Sequence, residues 1–192
     1  MEHAALPIEP WGNFYVIVGS AAGGLTGLTF VVIALVADAH AIRMTGLRAF
    51  ISPTVIHFCS ALLLSALLNV PGQTSYGYGW VLAAIGIWGV LYTANTARHV
   101  RRLSRGDYIA VTEDWIWNVL LPLACYGALL TAGTLASAHV ALALYITAAV
   151  TLLLLFIGIH NAWDIAVWFT AERPSVQNDP TKLPPPTEPP IS

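Results

Sequence analysis

Residues 151 to 168 read TLLLLFIGIHNAWDIAVW, an apolar run that turns abruptly polar at His160, Asn161 and Asp164 before closing on Trp168. A helix needs roughly 20 apolar residues to cross about 30 Å of hydrocarbon. The stretch from 139 to 169 is long enough to do so, and the polar triplet then falls near one end. Four more segments meet the same requirement, at about 13 to 37, 47 to 69, 79 to 98 and 115 to 136. Stretches 49 to 97 and 115 to 163 contain no Asp, Glu, Lys or Arg, and each is too long for one crossing. Each therefore reads as a helical hairpin. NVPGQTSYGYG at 69 to 79 supplies the Pro and Gly turn of the first, and TLASAH at 134 to 139 a tighter turn for the second.

Composition agrees. Of 192 residues, 57% are hydrophobic and 9% charged, with a mean hydropathy of +0.70, whereas a soluble domain is about one quarter charged. The predicted fold is all-α: a polytopic five-helix membrane bundle over 13–170, preceded by a short extracytoplasmic tail at 1–12. Residues 171–192, rich in Pro and polar groups, bury too little apolar surface to fold and read as a disordered cytoplasmic tail. So little polar chain excludes a separate soluble catalytic domain. Cys59 and Cys125 lie in apolar runs and read as small packing residues rather than a disulfide framework.

All eight basic residues, Arg43, Arg48, Arg98, Arg101, Arg102, Arg105, Arg173 and Lys182, fall in or beside the first and third connections or the tail. The positive-inside rule then puts the N-terminus outside and the C-terminus in the cytoplasm. The first ten residues carry two acids and no base, so an uncleaved anchor is expected rather than a signal peptide. Arg98, Arg101, Arg102 and Arg105 are positioned for anionic lipid, each worth about 1 kcal/mol near the surface. Thr112, Glu113 and Asp114 read as the cap and acidic first turn of the fourth helix. Nucleic-acid binding is excluded, since no basic face with stacking aromatics exists on a soluble module.

Gly19, Gly23 and Gly27 recur at four-residue steps in GSAAGGLTG, aligning a small-residue face that admits a second backbone. Packing inside one bundle and contact between copies of the chain both explain it. A phosphate loop does not, because no Lys follows and the segment lies within a span.

Measured from Arg48, His57 lies nine residues in, about 13 Å along a helix, and measured from Trp168, His160 lies about 12 Å in. Asn95, Asn118, Asn161 and Asp164 belong to the same half. His160 and Asp164 are four apart and share a face, which lets the carboxylate hold the imidazole. Pro53 and Pro122 free backbone carbonyls nearby. Buried ionisable groups are costly, so they are expected to face inward and pair. One reading is interhelical hydrogen bonding, at about 0.6 kcal/mol per bond. The other is a cytoplasm-facing polar cavity for protons, ions or a small polar solute. Ligation of haem or metal by His57 and His160 is the lesser reading, as no HExxH or Cys/His cluster appears; no cofactor and no metal site are expected.

NFYVIVGSAAGGLTGLTFVVIAL, LLLSALLNVPGQ and NAWDIAV together resemble a widespread group of small bacterial multi-span proteins sometimes labelled modulators of the FtsH protease. The resemblance covers the first two helices and the last. It implies a bacterial inner-membrane location and a five-helix bundle, and supplies no catalytic residues. The function expected from the sequence is an oligomeric inner-membrane channel or permeation module. The alternative is a non-catalytic accessory or regulatory subunit of a larger membrane complex or protease. An enzyme ranks third, because no nucleophile, base and orienting group occur together.

Overall fold

A computed structural model describes the backbone of residues 7–39, 44–103 and 112–171, and the side chains of 7–34, 52–101, 113 and 115–167. The tail expected at 172–192, and the side chains of Arg43, Arg48, Arg102, Arg105, Arg173 and Lys182, lie outside the described residues.

Described residues are all-helical apart from short turns. A 3-10 turn, Glu9–Trp11, leads into α1 (Gly12–Ala39), followed by α2 (Met44–Leu68) and α3 (Ser75–Leu103). A short α4 (Thr112–Trp115) continues through a π-helical stretch, Ile116–Leu120, into α5 (Leu121–Leu135), and α6 (Val140–Ala171) closes the chain. Four helical stretches are long and apolar enough to cross a membrane: Glu9–Ala34, Ser75–Arg101, Ile116–Leu135 and Val140–Val167. Described residues Ser52–Leu68 of α2 form a shorter apolar helix. Ile17, Leu91 and Phe156 are each about two-thirds exposed, 69%, 64% and 66%. Large apolar side chains spread over the outer surface in this way are compatible with a bilayer and poorly suited to water.

Turn chemistry follows the sequence. Gly72 takes φ +75° in the α2–α3 turn, a left-handed conformation that side-chain-bearing residues resist, and the Gln73 amide donates to the Leu67 carbonyl to close α2. At the other hairpin the His139 amide donates to Leu135 O at 2.7 Å. The π-helical stretch has a local cause. Pro122 has no N–H and its ring crowds the carbonyl one turn earlier, and the chain responds with the Leu121 amide bonding back to Ile116 O, one residue beyond an α-helical bond.

Helices pack in the order α1, α2, α6, α5, α3. Small residues set the contacts. A Cβ on Gly19 would lie 2.8 Å from Ser65 Cβ, and one on Gly23 3.8 Å from Leu62, so α1 runs antiparallel along α2. Gly79 and Gly133 face each other backbone to backbone where α3 crosses α5, and a Cβ on Gly133 would come within 2.8 Å of Gly79 O. Further along the same seam the Tyr126 ring covers Gly89, and the Phe58 ring of α2 covers Gly158 of α6. Between helices in lipid, close van der Waals contact takes the role that hydrophobic burial has in water. The ends of α2 and α5 and the starts of α3 and α6 thus share one end of the bundle, here the turn end. Arg98 and Arg101 mark the opposite, basic end.

Gly133→Ala is expected to destabilise the bundle by about 1–3 kcal/mol, because the new methyl meets rigid backbone. Gly27, with nothing within 4 Å of an added Cβ, behaves oppositely: Gly27→Ala leaves stability unchanged or raises it by up to about 1 kcal/mol through helix propensity. Thermal unfolding of both variants in mild detergent measures the contrast.

Candidate functional site

The polar residues singled out in the sequence divide into two networks and one outlier. At the basic end, α6 presents His160 with its ring stacked on Trp117 of the π-helical stretch, centroids 3.6 Å apart and planes 9° from parallel. Its Nδ1 lies 3.2 Å from Asp164 Oδ2, one turn on, and its Nε2 lies 3.7 Å from Glu113 Oε1 of α4. The Asp164 contact has ion-pair distance without hydrogen-bond alignment, so His160 Nδ1 is buried and unbonded. Both carboxylates are more than half exposed, Glu113 at 67% and Asp164 at 56%, while His160 is 23% exposed. An imidazolium here has a carboxylate near each nitrogen and an aromatic face shielding one side. Beside it, Asn161 is buried and its amide donates to Asn118 Oδ1 at 3.3 Å.

The second network is more fully buried. His57 is 1% exposed, with Nδ1 3.4 Å from the Tyr126 hydroxyl, which is also 3.0 Å from Ser60 Oγ. His57 Nε2 is buried with no hydrogen-bond partner. The Phe58–Gly158 contact gives the relative heights: His57 is one residue and His160 two residues from it, both toward the basic end, so they differ by only about 1.5 Å along the axis. Both rings turn into the bundle.

Asn95 does not join either network and is exposed. α3 packs through Tyr78, Leu82, Gly86, Gly89 and Thr93, and Asn95, two residues past Thr93, falls about 200° around the helix, on the outer side. The expectation that every residue of this half faces inward and pairs is corrected for Asn95. Asn161, expected to face inward and pair, bonds Asn118 across the helix interface. The Gly19 end of the glycine face is taken by α2, whereas Gly27 stays open. Arg98 is exposed, and the Arg101 guanidinium carbon sits 5.6 Å from the Trp115 ring centre, a cation over an aromatic face. Cys59 and Cys125 are free thiols. Among the described residues no group of three or more His, Cys, Asp or Glu is placed to hold a metal ion.

Three participants were not picked out as site residues from the sequence. Glu113 reads there as a helix-start acid, and Trp117 and Tyr126 carry no reading of their own. The available signal was Pro122, which removes an N–H and so disturbs helical bonding in the turn that carries Trp117 and Asn118.

The Asn118–Asn161 bond is expected to couple by about 0.6 kcal/mol. A double-mutant cycle of Asn118→Ala and Asn161→Ala, read by unfolding in detergent, checks this; independent effects of the two substitutions contradict the bond.

Compared with known protein families, with characterised proteins and with solved structures, the chain matches none of them.

Proposed function

We propose that the protein is a homo-oligomeric permeation module of the bacterial inner membrane, with five crossings, the N-terminus outside and the basic end in the cytoplasm. It passes a proton, ion or small polar solute. One observation carries the reading: a buried imidazole, His57, has an unpartnered nitrogen at nearly the same height as a solvent-reaching His160 held between two carboxylates. Leaving a buried polar atom unbonded costs about 1–3 kcal/mol, which purely structural packing gains nothing by retaining. His160, Glu113 and Asp164 form the entry, where exposed carboxylates gather cations and the Trp117 face orients the ring. The arginines of α3 hold this end at an anionic leaflet.

A second reading, an accessory subunit of a larger membrane complex or protease, is favoured by α1. That helix leans mainly on α2, and Ser20, Gly24 and Gly27 lie exposed on its outer side, a small-residue face suited to another helix. Co-purification of one stoichiometric partner from native membranes supports this reading; a single self-assembled species supports the first.

Purified protein in liposomes is expected to accelerate flux, with His160→Ala and Asp164→Asn each lowering the rate about tenfold, equivalent to about 1.4 kcal/mol of barrier. Flux unchanged in both variants removes these residues from the pathway. Reporter fusions at the two termini test the orientation, and both termini on one side refute the five-crossing topology.

A further inference from the structure

The unpartnered nitrogen of His57 is one of a series. Ser65 Oγ on α2 and the Tyr15 hydroxyl on α1 are likewise buried without a hydrogen-bond partner. Both are nine-tenths or more buried, Ser65 at 2% and Tyr15 at 1% exposure. Their heights follow from the helix contacts. Taking the Phe58–Gly158 contact as origin, Ser60 lies about 3 Å and Ser65 about 10 Å toward the turn end. Gly19 abuts Ser65, and Tyr15 is one turn further along α1, at about 16 Å. Thr147, eleven residues before Gly158 on α6, also comes out at about 16 Å. There the Tyr78 hydroxyl is 2.6 Å from Thr147 Oγ1. From His160 to Tyr15 the bundle interior therefore carries hydroxyl or imidazole groups over about 20 Å, with no gap in height above about 8 Å. Ser65 lies about 140° round α2 from Ser60, so that link is about 10 Å long and takes three waters hydrogen-bonded in line, at about 2.8 Å per link.

We infer that the permeant is the proton, relayed through the interior of a single protomer along this seam from His160 past His57, Tyr126 and Ser65 to Tyr15. The inference rests on the permeation reading and names its substrate. Every group in the seam both donates and accepts. An arriving proton binds a lone pair on one side while the group releases its own proton on the other, so only O–H and N–H bonds break and form, and each group is restored when its hydrogen bond reorients. For a metal ion, residues 13–37, 49–97 and 115–163 supply no Asp or Glu to balance its charge, and the seam presents single hydroxyls and imidazoles rather than a ring of oxygens to replace its hydration shell. Hydroxyls kept unpaired at successive heights are costly for a static core and useful to a relay, since each keeps a donor and an acceptor uncommitted for the next link.

The experiment uses the full chain in liposomes holding a pH-sensitive dye, with the potential set by valinomycin and a potassium gradient. Release of trapped sodium and of labelled glycerol is followed in parallel. Tyr15→Phe and Ser65→Ala each remove one hydroxyl that bonds nothing, so both variants are expected to fold and to keep or raise the wild-type thermal stability. Each is expected to cut proton uptake about tenfold, while sodium and glycerol release stay at the level of protein-free vesicles. Undiminished proton uptake in both stable variants overturns the relay. Sodium or glycerol flux without proton uptake also overturns it and leaves the permeation reading standing. Absence of any flux in wild-type vesicles overturns both.

Discussion

Three helices meet at the hydroxyl and ring of Tyr126. From α5 the side chain reaches α2, where its oxygen lies within bonding distance of Ser60 and His57, and its ring rests on α3 at Gly89, where an added Cβ would approach to 2.0 Å. An apolar interior offers a phenol no water, so the hydroxyl must find a protein partner or be expelled. Its ring needs space that only a residue without a side chain provides. These two requirements set the spacing of α2, α3 and α5 together, and they hold His57 with one nitrogen occupied and the other open.

The basic end is organised by a different constraint. Pro122 interrupts helical bonding, and the π-helical stretch that absorbs it brings Trp117 over His160 and Asn118 onto Asn161. A backbone irregularity thereby becomes a positioning device. The imidazole is fixed in orientation by stacking, while Glu113 and Asp164 remain open to solvent on its two edges. Across the bundle, the exposed carboxylates Glu113 and Asp164 at the basic end thus give way to the buried His57, Ser60 and Tyr126 in the interior.

Helix positions were legible because hydropathy and turn residues are local. The spans at about 13 to 37 and 79 to 98 lie within the helical segments observed, and the Pro and Gly turn at 69 to 79 and the tight turn before α6 both appear. Heights were legible too, since rise per residue is constant, and His57 and His160 come out nearly level. Azimuth was not. Asn95 shares the half of the bundle expected of it and points outward, because which face of α3 is buried depends on where α5 presses against it. The glycines of α3 and α5 passed unnoticed for the same reason: Gly79 and Gly133 are 54 residues apart and acquire meaning only at their crossing.

By itself the sequence determined an apolar, all-helical chain with its charge gathered at the connections, because each of those properties is a sum over neighbours. Tertiary structure alone decided that Glu113 and Asp164 flank one imidazole, that Tyr126 joins three helices, and that Ser65 and Tyr15 stay unpartnered. Pairing depends on helix rotation and order of packing, which are settled by contacts between residues far apart in the chain.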